Sequence, residues 1–297
     1  MANIEVTQLP DAKPRPRQVA IGTFDGVHRG HQAVIERADT VLTFDPHPLS
    51  VIHPAALPKL IMPFGVKRDV IEGLGVRELV VIPFDAEFAK LSAEEFIEGV
   101  LIERLGAERV AVGENFRFGA KAKGDPAMLA ARSEFETRVV PLVEVDGETV
   151  SSTRIRALVA AGDMEGARHC LGAPFMVEGT VVSGDQRGRE LGFPTANIVP
   201  DDRLAYPGHG VFAAFADGVP AAVNVGVRPT FASGRGVLIE TYLIDRDEDL
   251  YGRTLRVAFV ERLRGEKRFA SVEDLIAQMK IDVEDAKRVC ASFTDAP

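Results

Sequence analysis

The chain has 297 residues, 46% of them hydrophobic, with a formal net charge of −9; that length suggests about two domains of roughly 100–200 residues each. The acidic balance argues against a general nucleic-acid or membrane-surface binder, which would carry excess basic charge. Cys170 and Cys290 lie too far apart for a disulfide framework or a metal-binding pair, residues 1–16 lack the apolar core of a signal peptide, and no run approaches the roughly 18 apolar residues of a membrane span, so a reduced, cytoplasmic compartment is expected.

Along the first half, apolar runs alternate with helical stretches. Residues 18–22, 40–44, 78–84, 109–113 and 137–143 read as strands, and 32–38, 64–73, 93–105 and 126–134 as helices. Such alternation implies a doubly wound α/β domain, with a mostly parallel sheet and helices on both faces. Ligands bind such sheets at the carboxyl ends of the strands, near the switch point. Two short helices, 154–161 and 164–170, break at Gly162-Asp163, and a boundary is expected at Leu171-Gly-Ala-Pro174, giving domains 1–172 and 173–297. The second half carries short strand-like runs at 175–183, 210–216, 221–227, 236–244 and 254–261, separated by glycine-rich or charged turns, which suggests an antiparallel barrel or sandwich. A final helix starts at a Ser271 cap with Asp274 three residues on. Val272, Leu275, Ile276, Met279, Val283, Ala286 and Val289 recur at helical spacing and mark one buried face.

Gly22-Thr-Phe-Asp-Gly-Val-His-Arg-Gly-His31 follows the strand-like Val19-Ala-Ile21 and precedes a helix. A strand, a glycine turn and a helix start favour an anion, because free backbone N–H groups and the helix dipole converge there. With a helix beginning near Val27, His28 and His31 project from one side of its first turn, toward that anion. Two solvent-facing histidines are the bland alternative. Zinc is disfavoured, since no third ligand is suggested.

This stretch resembles the G-x-F-D-G-x-H-x-G-H signature of the HxGH nucleotidyltransferases, which attack the α-phosphate of a nucleoside triphosphate and release pyrophosphate. The resemblance implies that His28 and His31 stabilise charge on phosphate oxygens, and that Gly22, Phe24, Asp25 and Gly30 shape the nucleotide turn. Ser151-Ser-Thr-Arg-Ile-Arg156 reads by itself as an ordinary helix cap or as an anion grip. It matches the S-S-T-x-I-R element of that class, which makes Ser152, Thr153, Arg154 and Arg156 phosphate contacts. Gly113-Glu-Asn-Phe-Arg-Phe-Gly119 resembles a segment of the bacterial flavin-nucleotide synthetases, with Asn115 near flavin and nucleotide. Thr43-Phe-Asp-Pro-His-Pro48 resembles another, with His47 architectural.

Gly179-Thr-Val-Val-Ser-Gly-Asp-Gln-Arg-Gly-Arg-Glu-Leu-Gly-Phe-Pro-Thr-Ala-Asn197 opens the second domain, and its glycines permit close backbone approach to a ligand. Its last six residues resemble the G-F-P-T-A-N signature of riboflavin kinases. That likeness implies Thr195 and Asn197 as oxygen ligands of Mg²⁺, a hard cation that keeps substrate phosphates and water in its shell. It also implies Gly179, Gly184 and Arg189 as nucleotide contacts. Asn224-Val-Gly-Val-Arg-Pro-Thr-Phe231 and Ile239-Glu-Thr-Tyr-Leu-Ile-Asp245 resemble further kinase segments. Glu240 falls on the general base, able to accept the proton of a hydroxyl attacking a γ-phosphate; by itself it reads as a solvent-facing strand glutamate. Arg264 and Phe269 are ligand-side or lid residues on the same grounds.

Together these motifs resemble the bifunctional bacterial riboflavin kinase/FAD synthetase family. The implied fold is a Rossmann-like HxGH domain followed by a Greek-key β-barrel with a terminal helix. The implied chemistry is phosphorylation of riboflavin by ATP to FMN, then adenylylation of FMN to FAD, with Mg²⁺ in both steps. Transient self-association and hand-over of FMN or FAD to apo-flavoproteins are compatible with it; nucleic acid and membrane are not expected partners. The rival readings are a nucleotidyltransferase for another small phosphate and a non-catalytic flavin-binding protein. Two departures stand out. Gln186 replaces the family's usual lysine. The connection from His31 to Thr43 is at the lower limit for a parallel crossover, so a missing disordered stretch near Ala38–Thr40, marked by a Cα separation far above about 3.8 Å, is expected.

Overall fold

The computed structural model describes residues 3–182, 191–230, 234–246 and 248–293. Contacts divide the chain into two compact units, 1–58 with 63–152 and 59–62 with 153–297.

The first unit is built on six parallel strands: β1 (Glu5–Gln8), β2 (Arg17–Ile21), β3 (Thr40–Asp45), β4 (Glu78–Pro83), β5 (Ala107–Gly113) and β6 (Glu136–Val140). Their spatial order is β1-β4-β3-β2-β5-β6. The central strands read as unbroken apolar runs because both sheet faces are covered; Val19, Ala20, Ile21, Val41 and Leu42 are all buried. Their connections carry α1 (Arg29–Ile35), α2 (Pro48–Ile52), α3 (Phe64–Gly73), α4 (Ala93–Glu95), which runs on as a wide-turned helix over Phe96–Arg104, and α5 (Pro126–Ala130). Ile97, Leu101, Val110 and Val112 share one core cluster between that long helix and the sheet. β1 escapes the sequence reading because it is a short edge strand with little apolar signal; its Val6 is 42% exposed. α5 stops at Ala130, short of the expected 134, where Arg132 turns to pair with Glu94 and Glu98. β6 likewise ends at Val140 rather than 143.

The expected break near Ala38–Thr40 is not found. Ala38 N–H donates to Ile35 O (2.8 Å), Asp39 N–H to Gln18 O (3.1 Å), and β3 begins at once. Arg138 on β6 supports this tight connection, its Nη2 donating to the carbonyls of Ala33, Val34 and Glu36 at 2.9, 2.9 and 2.7 Å.

A two-stranded ribbon, β7 (Glu144–Val145) with β8 (Glu148–Thr149), precedes α6 (Ser152–Ala161) and α7 (Met164–Leu171). The second unit then forms a closed barrel from β9 (Phe175–Val182), β10 (Ala196–Ile198), β11 (Gly210–Ala216), β12 (Val219–Thr230), β13 (Gly234–Leu243) and β14 (Thr254–Arg264), ordered β10-β13-β12-β11-β14-β9. β11, β12 and β13 follow as hairpins and β14 returns beside β11, which is a Greek key. Phe212 packs edge-on against Phe259 at 5.4 Å, and Phe175 lies 6.4 Å from Phe259. The terminal helix α8 (Val272–Ser292) packs Ala286, Val289 and Cys290 against Ala213, Phe215 and Ala258. β11 is therefore covered on both sides and reads as continuous Gly-Val-Phe-Ala-Ala-Phe-Ala. Ser271 Oγ accepts from Asp274 N–H at 3.1 Å, as expected of the cap. Val272 departs from the expected buried stripe: it opens the helix and is 55% exposed. Asp282, absent from that stripe, is buried instead, held by Arg264 at 2.9 and 2.7 Å and by Gln278 at 3.0 Å.

Candidate active sites

In the first unit, the strand order reverses between β2 and β5, and both strands end in loops that carry quoted motifs. The turn after β2 is tightly wound. Phe24 (φ 49°), Gly26 (φ 91°) and Val27 (φ 40°) all have left-handed backbone, a costly conformation for a β-branched valine and a mark of a site that holds strain. A Cβ on Gly22 would sit 3.0 Å from the Phe24 ring, and one on Gly30 3.1 Å from the His28 ring, so a side chain at either position would have to push the neighbouring ring aside by a few tenths of an ångström.

The helix starts at Arg29 rather than near Val27, which makes His28 its cap. His28 Nδ1 accepts from His31 N–H at 3.3 Å. An accepting Nδ1 puts the ring proton on Nε2. The two imidazoles stack at 3.5 Å and 16°, so they do share one side as expected. Phe24 meets His31 edge-on at 5.3 Å. Burial lowers His28 to about 4. Burial also takes His31 well below its usual 6.5, helped by the neighbouring charges of His28 and Lys67. Both rings are therefore neutral near pH 7. His31 Nδ1 is buried without a hydrogen-bond partner. A buried polar atom left unsatisfied in this way calls for a ligand or other explanation.

Asn115 is exposed in the loop that follows β5, beside the β2 end. Ser152 Oγ donates to Asp25 O at 3.0 Å, which ties the start of α6 to the turn. Asp25 itself is buried. Further along α6, Thr153 is exposed, Arg154 is half-buried, and Arg156 Nε donates to Lys59 O at 2.6 Å. His47 caps α2, its Nδ1 accepting from Leu49 N–H at 3.2 Å, in keeping with an architectural role. Sequence reasoning passed over Lys67, on α3, whose Nζ donates to Thr23 O at 2.9 Å. An isolated lysine on an amphipathic helix gives no motif by which to find it.

In the barrel, pairing aligns Asn197 on β10 with Glu240 on β13, and Glu240 with Asn224 on β12. Directly paired residues of neighbouring strands put their side chains on the same face, so the carboxylate lies between two amides. Asn224 Nδ2 donates to Glu240 Oε2 at 2.9 Å. A cavity of about 690 Å³ opens here, lined by Phe193, Thr195, Asn224, Glu240, Tyr242 and Arg264. Asn197 is buried, and its Nδ2 lies 3.4 Å from Thr195 O. That orientation leaves the amide oxygen on the opposite side of the group. Among the described residues no cluster of three or more His, Cys, Asp or Glu could hold a metal. The hard oxygens of Thr195 and Asn197 suit a cation that draws most of its shell from phosphates and water. Gly179, on β9, answers to packing: a Cβ there would lie 2.5 Å from Ile198 Cγ2. Gly184, Gln186 and Arg189 lie outside the described residues. The part played by Asn224 was not legible in its motif, because it depends on the register between β12 and β13.

A phosphate-type turn at the switch point of an α/β sheet, followed by a barrel with a carboxylate-centred cavity, defines a two-site transferase. The FAD synthetase family model matches residues 11–154 and the riboflavin kinase family model residues 171–290. A bifunctional riboflavin kinase/FMN adenylyltransferase of Listeria monocytogenes is 35% identical, over 93% of this chain and 93% of that protein. One of the same description from Pseudomonas fluorescens is 37% identical, over 96% and 97%, and one from Escherichia coli 36%, over 89% and 90%. A crystal structure described as a macrolide-efflux protein from Streptococcus pneumoniae superposes with a TM-score of 0.85 at 30% identity, covering 98% of this chain and 100% of that one. Among the described residues here, no helix is long and apolar enough to cross a membrane. The chain belongs to the bifunctional riboflavin kinase/FMN adenylyltransferase family.

Proposed function

We propose that the barrel cavity phosphorylates riboflavin and that the turn at 22–31 adenylylates the FMN so formed. The observation that carries this reading is the Asn224–Glu240 pair on the cavity wall, with buried Asn197 in register with Glu240 on the neighbouring strand: a hydrogen-bonded carboxylate in a pocket large enough for a drug-sized heterocycle. In the first step a ribityl hydroxyl attacks the γ-phosphorus of ATP, Glu240 accepts its proton, and ADP leaves. In the second, an FMN phosphate oxygen attacks the α-phosphorus of another ATP and pyrophosphate leaves. His28 and His31 offer ring N–H donors to the phosphate oxygens. Ser152, Thr153, Arg154 and Arg156 hold the triphosphate, and Asn115 contacts the flavin nucleotide. Neither step needs a covalent enzyme intermediate; positioning and electrostatics do the work. Thr195 and Asn197 are the residues that would hold Mg²⁺ in the barrel, where it would offset phosphate charge. The division of labour follows domains 1–172 and 173–297, in a cytoplasmic setting.

The test is a chromatographic assay with riboflavin, ATP and Mg²⁺. FMN appearing first and FAD after it, with pyrophosphate released, is the expected result. Flavin bound with no ATP turnover would replace the enzyme reading with a carrier. FMN without FAD would reassign the first domain to another small phosphate.

A further inference from the structure

The turn that receives the triphosphate presents two neutral imidazoles, and the cation beside them is one that no motif marks. Lys67 projects from the first half of α3, and its Nζ donates to Thr23 O at 2.9 Å. Thr43 Oγ1, from β3, donates to the same carbonyl at 3.2 Å. Thr23 sits inside the glycine turn, so α3 and β3 together pin its backbone from outside. Burial lowers the Lys67 ammonium from its ordinary 10.5, while the carboxylates of Asp25 and Asp45 act in the opposite sense and favour its charge. Its field reaches the His31 ring, where it opposes protonation. Lys67 is thus held among a backbone carbonyl, two carboxylates and an imidazole with a buried, unpartnered Nδ1.

We propose that Lys67 is a positioning residue of the adenylyl-transfer site, holding the turn through Thr23 and supplying the positive field that the nucleotide phosphates enter beside His31. The inference rests on the assignment of that site to the 22–31 turn. Its physical basis is charge balance. A neutral imidazole offers one N–H donor and no net charge, whereas transfer at the α-phosphorus needs negative charge to be balanced where it gathers. A lysine supplies that charge as a compact point with three donors, one already engaged on the turn. Arrival of a polyanion then favours protonation of the neighbouring rings, so Lys67 attracts the nucleotide first and the histidines become better donors once it is bound.

The experiment measures FAD formation from FMN, ATP and Mg²⁺ in the full chain, for Lys67→Met, Lys67→Arg and His31→Ala, across a series of ionic strengths. FMN formation from riboflavin in the same preparations reports folding. Loss of a charge-assisted contact predicts that kcat/KM for ATP falls roughly 10- to 100-fold in Lys67→Met. The salt dependence of kcat/KM should flatten as well, because the screened charge is gone. Lys67→Arg should recover most of both. A Lys67→Met value within about twofold of the parent overturns the proposal. So does a fall with unchanged salt dependence, since that is what a purely structural strut would give. His31→Ala with intact FAD formation would instead refute the placement of the site.

Discussion

Replacing Arg138 with Met isolates what the short crossover needs. α1 runs over Arg29–Ile35, far below the roughly 12–15 residues at which helices become even marginal alone. Its last carbonyls have no intrahelical partners, and Arg138 Nη2 meets those of Ala33 and Val34 at 2.9 Å and that of Glu36 at 2.7 Å. Methionine keeps the aliphatic stem and removes the charge and donors. A cation at a helix C-terminus is worth up to about 2 kcal/mol when partly buried, and a hydrogen bond to a charged group about 1.5–3 kcal/mol. These overlap here, because a single nitrogen makes all three contacts, so the expected cost is about 2 kcal/mol. Confined to α1, that is roughly a 30-fold rise in local opening. Amide hydrogen exchange at Gln32 and Glu36, both bonded within this helix turn, should accelerate by that factor. FAD formation should fall only by the fraction of molecules left open, because His31 rides on the helix, while FMN formation stays near the parent rate. Unchanged exchange at these amides would refute the claim that Arg138 holds the crossover, whatever happened to activity.

Removing the 2.9 Å bond from Asn224 to Glu240 in Asn224→Ala should lower kinase kcat roughly 10-fold or more, with conversion of supplied FMN unchanged in the same assay. Glu240→Gln should cost about 10²–10⁴ in FMN formation while leaving supplied FMN convertible, and His28→Ala should do the reverse; equal loss of both activities in either variant would contradict separate sites. Stability should fall with acid. His28 has a folded pKa of about 4 against an ordinary 6.5, so the unfolded chain binds more protons between those values. Its contribution is complete above about pH 6.5 and is lost as pH drops toward 4, amounting to a few kcal/mol. His31 acts in the same direction. Urea melts of the parent and His28→Gln at pH 7 and 5 should show a shallower pH dependence in the variant.

Local chemistry was legible in the chain because it is written over short spans. The stretch 17–31 carries a strand, a turn and a helix start within a few residues, and α3 follows its apolar spacing to both ends, Phe64 and Gly73. β1 and β10 were not legible. One is a polar-looking edge strand and the other has three residues, Ala196–Ile198, too few to show alternation. Val272 carried the right spacing but lies in the first turn of α8, where the helix is exposed. Asp282 carried the wrong residue type for a core, and the ion pair from Arg264 on β14, with the Gln278 amide, makes its burial tolerable.

The sequence by itself determined the family and the succession of an α/β unit and a β unit, and it named candidate side chains for phosphate chemistry, because motif and periodicity are properties of neighbours along the chain. Tertiary structure decided whether the second unit closed as a barrel, since β9 must pair with both β10 and β14, and β14 lies beyond four intervening strands along the chain. It also decided the register that puts Glu240 between Asn197 and Asn224, and the electrostatics of the turn: neutral histidines next to Lys67. Register and pKa both depend on what is packed against a residue, and desolvation by distant segments cannot be read from a residue's own neighbourhood in the chain.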